Sequence, residues 1–107
     1  MGAHHEKTLT FNNQMQPLVD KMRDLHNSGL RLTLKGEVPE GNNGVCFQIT
    51  HGVTATSWGE KITVKLVPTG PAQTMVTINS RCALPTQIVD WGKNKSNVEK
   101  LFQYLSK

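Results

Sequence analysis

The chain has 107 residues, of which 36% are hydrophobic and 19% charged, and its formal net charge is +4. These values predict one globular domain over residues 1–107 and exclude a disordered or low-complexity chain. Residues 1–53 are neutral overall, so the positive excess lies in the second half. No apolar run is long enough to span a membrane, and we therefore expect a cytoplasmic protein without a membrane partner.

The first predicted elements are a short strand and an amphipathic helix. Residues 1–6 show no periodic pattern, and we expect them to form a flexible N-terminal tail. Residues 7–11 alternate polar and apolar side chains, which predicts the first strand. Apolar residues at helical spacing then predict a helix over residues 13–27, ended by Gly29 in the left-handed conformation.

Four further strands follow, and each has one apolar face. Alternating side chains predict them near residues 30–35, 45–50, 60–67 and 74–80. Glycine, proline and asparagine between the strands predict turns, including a loop over residues 37–44. Because short turns join these strands, we expect an antiparallel meander.

The closing helix is the most strongly patterned segment of the chain. Its apolar side chains recur at i, i+3, i+4 and i+7, which is one face of a helix: Val98, Leu101, Phe102 and Leu105. Ser96 and Glu99 fit a capping box at its start. Asp90 or Asn94 would begin the helix one turn earlier, and the pattern leaves these alternatives open.

The order of elements, β-α-β-β-β-β-α, predicts an α+β fold in two layers. Every strand has one apolar face and each helix has one apolar stripe, so both helices should cover the same face of one twisted antiparallel sheet. A C-terminal helix lying across that sheet makes the arrangement helix-grip-like. Such a fold does not by itself determine a function.

Two tryptophan-glycine pairs stand at predicted corners of the chain, one before a strand and one before the closing helix. If the corners meet, Glu60 can pair with Lys93 or Lys95, and an anion can bind near the helix N-terminus. The predicted ligand site consists of Trp58, Glu60, Trp91, Lys93, Asn94 and Lys95. The alternative is structural, because tryptophans at element ends commonly cover a small core.

The same corners resemble a known family. The segment S-W-G-E-x-I-T-V at residues 57–64 and the segment D-W-G-K-N-x-x-N-V-E-K-L-F at residues 90–102 are similar to motifs of short, largely uncharacterised bacterial α+β domains. The resemblance runs from about Leu9 to Leu105 and is specific only in these two motifs. It implies the β-α-β-β-β-β-α layout and no catalytic residue.

The sequence predicts no cofactor and no metal site. The histidines lack the spacing of a zinc site, and Cys46 and Cys82 are interpreted as small buried hydrophobic residues. Loss of Met1 would leave Gly2-Ala3-His4 at the N-terminus, which can hold Cu(II) or Ni(II) in a square plane. Chance composition is the favoured explanation of that tripeptide.

We therefore expect a binding or interaction module, monomeric or weakly dimeric, rather than an enzyme. Its expected partner is a small anionic ligand or an acidic protein surface. One alternative is weak nucleic-acid binding by outward cations, among them Arg31, Lys35, Lys61 and Lys65.

Two observations argue against the alternatives. The three phenylalanines, Phe11, Phe47 and Phe102, are expected in the core, which leaves few rings to stack on bases. A hydrolase-like enzyme would use the carboxylates of Asp90 and Glu60, but no histidine or nucleophilic cysteine stands near them in sequence.

Overall fold

A computed structural model describes residues 4–51, 59–82 and 93–107 of the chain. The described elements, in chain order, are β1 (His4–Phe11), α1 (Met15–Arg23), a 3-10 turn (Leu25–Asn27), β2 (Leu32–Glu40), β3 (Gly44–His51), β4 (Glu60–Gly70), β5 (Gln73–Cys82) and α2 (Lys93–Ser106). The strands form one antiparallel sheet in the order β1-β5-β4-β3-β2. This arrangement confirms the predicted α+β class and the meander from β2 to β5.

One apolar core lies between the sheet and the two helices. Its most deeply buried side chains come from both helices and from three central strands: Leu18, Met22, Phe47, Ile62, Val64, Leu66, Val76, Ile78, Leu101 and Leu105. Phe11 of β1 stacks on Phe102 of α2 with ring centroids 6.1 Å apart. Both helices therefore cover one face of the sheet, and the predicted helix-grip-like arrangement is confirmed.

Polar contacts join α1 to the end of α2. The Lys21 ammonium donates to the carbonyl oxygens of Lys107 and, at 3.0 Å, of Leu105. The Tyr104 hydroxyl donates to the carbonyl oxygen of Lys21 at 2.7 Å. Burial raises the pKa of the Tyr104 hydroxyl, which keeps it protonated as a donor. The last carbonyls of a helix have no partner within it, so Lys21 satisfies groups that would otherwise need water.

Two predicted boundaries in the first half are wrong. The helix expected over residues 13–27 ends at Arg23 and is followed by the 3-10 turn. The loop expected over residues 37–44 is mostly strand, because β2 continues to Glu40 and pairs with β3. Pro39 does not prevent this pairing, since β2 is an edge strand and needs hydrogen bonds on one side only.

One predicted element start is wrong, and for another the alternative is favoured. Residues 4–6, expected in the tail, belong to β1, where they pair with β5. α2 begins at Lys93, about one turn before Ser96, in agreement with the alternative of an earlier start near Asp90 or Asn94, so Ser96 lies inside the helix and does not cap it. The expected capping box between Ser96 and Glu99 is therefore absent.

Gly44 lies where the β2–β3 hairpin packs closely against β4. A Cβ atom at this position would lie 2.6 Å from the carbonyl oxygen of Glu40 and 2.7 Å from that of Leu66. Because main-chain atoms of two strands would have to move, we expect Gly44→Ala to lower the free energy of unfolding by about 1–3 kcal/mol. Urea denaturation measures the change.

Gly36→Ala is the matched control for that substitution. The nearest atom to a Cβ at Gly36 is the Gln48 side-chain oxygen at 4.0 Å, so the added methyl group has room. We expect a change below about 1 kcal/mol in this variant. Equal stability of the two variants would contradict the close approach at Gly44.

Candidate functional site

Several residues of the predicted tryptophan-corner site cannot be placed within the described part of the chain. Trp58 and Trp91 lie outside the described residues, and so does the side chain of Lys93. Lys95 is exposed on α2, whereas Glu60 and Asn94 are buried. The burial of these two polar residues differs from the expectation that they would face a ligand.

Glu60 belongs to a cluster of polar side chains inside the core. This inner polar cluster consists of His51, Glu60, Ser80, Asn94 and Asn97. One carboxylate oxygen of Glu60, Oε1, lies 3.0 Å from His51 Nδ1 and accepts a hydrogen bond from Asn97 Nδ2 at 3.1 Å. The Glu60 side chain is 6% exposed and that of His51 is 28% exposed, so the pair lies at the margin of the core.

The remaining bonds of the inner polar cluster connect β5 to the first turns of α2. The Ser80 hydroxyl donates to Asn94 Oδ1 at 2.7 Å, and Asn97 Nδ2 also donates to the Ser80 oxygen at 3.2 Å. Within the described ranges, no buried side-chain nitrogen or oxygen lacks a hydrogen-bond partner. Hydrogen bonds of this kind offset the cost of taking polar groups out of water.

The alternation of side chains along the strands indicates that Glu60 and Ser80 of this cluster face the core. Side chains alternate between faces, so Glu60 shares the inward face of β4 with Ile62, and Ser80 shares that of β5 with Ile78. The predicted Glu60–lysine pairing ignored this alternation. The structure also places His51 beside Glu60, although no histidine lies near it in sequence, because β3 and β4 pair at these two residues.

The opposite face of the sheet carries a groove lined by positive side chains. This basic groove has a volume of about 360 Å³ and is lined by Lys35, Gln48, Ile49, Thr50, Lys61, Ile62, Thr63 and Arg81. Ile49 and Ile62 are core residues, so the side chains that face the groove are polar or charged. Three of the side chains that line the groove are therefore cationic.

Strand register determines where these cations stand. Lys61 of β4 lies directly opposite Arg81 of β5, and Thr50 of β3 lies opposite Lys61 on its other side. The third cation, Lys35, sits at an irregularity in β2 between Leu34 and Gly36. Like charges directly opposite each other on neighbouring strands destabilise a sheet.

Several carboxylates on the described surface pair with other groups. Lys65 lies 3.9 Å from Glu40, and Arg23 lies 3.1 Å from Glu37, whose carboxylate raises the pKa of the Arg23 guanidinium. Glu6 accepts a hydrogen bond from the Asn79 amide at 3.5 Å.

The groove cations are not part of these pairs. Within residues 4–51, 59–82 and 93–107, no ion pair involves Lys35, Lys61 or Arg81. The positive charge of the groove is therefore uncompensated by the described residues.

Part of the basic groove was predictable from the sequence. Lys35, Lys61 and Lys65 were expected on outward faces, and the structure places them there. Arg81 was missed because the last strand was expected to end at Ser80, whereas β5 continues to Cys82. Arg81 stands opposite Lys61, and the two residues together form a pair of facing cations.

Few of the remaining chemical groups suggest another site. Burial raises the pKa of the Cys46 thiol, and Glu40 raises it further, so this cysteine is a poor nucleophile. Its burial confirms the interpretation as a small hydrophobic residue.

The described residues contain no group of three or more side chains that could hold a metal ion. No helix among them is long and apolar enough to cross a bilayer. Gly2 and Ala3 of the tripeptide Gly2-Ala3-His4 lie outside the described residues.

Comparisons with known proteins give similarities of structure but not of sequence. No family model matches the chain, and no curated protein matches its sequence. Among solved structures, the chain is similar to the Zhui aromatase/cyclase from Streptomyces sp. R1128, with 10% sequence identity and a TM-score of 0.40. The similarity covers 99% of this chain and 86% of that one. At this identity and TM-score, it says nothing about a shared activity or ligand.

A substitution of Asn97 measures how much the inner polar cluster contributes to stability. Asn97→Ala removes the amide that donates to both Glu60 and Ser80. Because a buried carboxylate then loses a donor, we expect the free energy of unfolding to fall by about 1–3 kcal/mol. Gln103→Ala, at an exposed position of the same helix, should change it by less than about 0.5 kcal/mol. Urea denaturation that gave equal values for the two variants would contradict this role.

Proposed function

We propose that the protein is a binding module for a small anionic ligand and that the basic groove is its binding site. The observation that carries this proposal is the facing pair of Lys61 and Arg81, with Lys35 at the same groove. None of the three forms an ion pair with the other described residues. An anion between them would supply the missing opposite charge.

The energetics of the facing pair support this proposal. Two like charges directly opposite each other cost the folded state a few tenths of a kcal/mol. A bound anion converts that repulsion into two attractions, so the ligand stabilises the native state. Polar groups beside the pair, those of Gln48, Thr50 and Thr63, can donate further hydrogen bonds to an oxyanion.

The proposal keeps the expected ligand class and moves the site to the other face of the sheet. Glu60 carries negative charge when ionised and would repel an anion, and its hydrogen bonds go to His51 and Asn97. Asn94 is fully buried. A role for Trp58 and Trp91 in ligand binding stays a prediction.

The other partner classes have weaker support. An acidic protein surface would have to cover an area several times larger than the mouth of a groove this small. Nucleic-acid binding would draw on the same cations and on Lys65, but Lys65 pairs with Glu40. The described lining of the groove also contains no aromatic ring on which a base could stack.

Thermal unfolding with and without inorganic phosphate tests the proposed function. Without phosphate, we expect Lys61→Gln to raise Tm by about 1–3 °C, because the substitution removes the repulsion from Arg81. With phosphate, at constant ionic strength, Tm of the natural protein should rise with the logarithm of the phosphate concentration once that concentration exceeds Kd. Lys61→Gln combined with Arg81→Gln should lose that ligand-dependent rise.

The control for net charge is Lys100→Gln, at an exposed position of α2. This variant should respond to phosphate as the natural protein does. Phosphate also stabilises proteins in general, but that effect is shared by all variants, so the difference in Tm between the natural protein and the double variant reports binding at the groove. An equal rise in the Lys61/Arg81 double variant would show that the groove is not the site.

A further inference from the structure

We infer that the anionic group recognised by the basic groove is a phosphate monoester, held between Lys61 and Arg81. This inference rests on the proposed function and specifies its ligand. The observations that carry it are the cross-strand pairing of the two cations, their different chemistry, the hydroxyl groups beside them and the absence of aromatic rings from the described lining.

Two cations placed directly opposite each other match a doubly charged group. Direct cross-strand neighbours have Cβ atoms about 4.5–5.5 Å apart, so the ends of Lys61 and Arg81 can both reach a single anion. A phosphate monoester carries a charge of about −1.5 to −2 at neutral pH. Carboxylates, sulfate monoesters and phosphate diesters carry only one negative charge. The second cation therefore favours the monoester over all of these.

The donors around the pair also match three terminal oxygens. The planar guanidinium of Arg81 can donate two parallel hydrogen bonds to two of them, whereas the Lys61 ammonium acts as a point charge on the third. Thr50, opposite Lys61, and Thr63, on the same face of β4, add hydroxyl groups to the lining of the groove. A phosphate diester has only two terminal oxygens and would use fewer of these donors.

The lining of the groove indicates that charge, rather than an attached base, is recognised. Among its described residues no ring is available for stacking, and the neutral polar side chains are threonine and glutamine. Single-stranded nucleic acid gains much of its binding energy from stacking on aromatic side chains. A terminal phosphate on a small molecule needs no such ring, and a groove of about 360 Å³ has room for it.

Titrations of the full chain with three small esters test the inference. Monomethyl phosphate is a dianion with three terminal oxygens, monomethyl sulfate is a monoanion with three, and dimethyl phosphate is a monoanion with two. We expect monomethyl phosphate to bind about five- to tenfold more tightly than the other two, because it carries the additional charge. Backbone amide shifts of Lys61 and Arg81 in NMR spectra report binding at the groove.

Two variants separate charge from geometry. Lys61→Gln leaves one cation, so the preference for monomethyl phosphate over monomethyl sulfate should fall to less than about twofold. Arg81→Lys keeps both charges but loses the planar donor pair, so it should weaken both esters while the preference between them persists. Lys100→Gln should leave all three affinities unchanged.

Each outcome bears on one of the two proposals. Equal affinities for the three esters, all lost in the Lys61→Gln/Arg81→Gln double variant, would overturn the monoester inference and leave the anion-binding function standing. No shift with any ester would overturn both. A short oligothymidylate without terminal phosphates that binds more tightly than monomethyl phosphate, at equal phosphate concentration, would replace the monoester by a nucleic-acid backbone.

Discussion

The register of β4 against β5 is the constraint on which the rest of the structure depends. Val64 lies opposite Ile78 and Leu66 opposite Val76, which places four apolar side chains on the face that the helices cover. A slip of one residue would turn a whole strand face from the core to solvent, so the buried face strongly specifies this register. The same register determines that Lys61 stands opposite Arg81 on the outer face. Core packing and the charge pattern of the groove are therefore set by one alignment.

The polar groups on the two faces of the sheet have opposite energetics. Inside, the Glu60 carboxylate is held by His51 and Asn97, and these bonds attach the first turns of α2 to the strands. Outside, Lys61 and Arg81 repel each other without a carboxylate from the described residues. A satisfied polar cluster stabilises a particular packing, whereas facing cations gain from a partner. Under our proposal, the first arrangement supports the sheet and the second binds the ligand.

Much of the fold could be predicted because periodicity is a local property of the sequence. The alternation in the strands and the stripe of α2 were sufficient to predict the layers and the inward phenylalanines. Pairing between distant strands is not local, and it is what extends β2 to Glu40 and β5 past Arg81. Because β5 was expected to end at Ser80, the pairing of Lys61 with Arg81 was not predicted. The burial of Glu60 was predictable from alternation alone, but its charge and the neighbouring tryptophan favoured an exposed interpretation.

The pairing of β1 with β5 has a consequence for the order of folding. His4 pairs with Arg81 and Phe11 with Thr74, so the first strand of the chain finds its partner only near the other end. During synthesis β1 leaves the ribosome long before β5 exists, and its backbone hydrogen-bonding groups must stay in water until then. Contacts so distant in sequence slow folding, because a long loop has to close before they form. The ring of Phe11 consequently meets Phe102 late, and the N-terminal strand closes a core that β2 to β5 can begin without it.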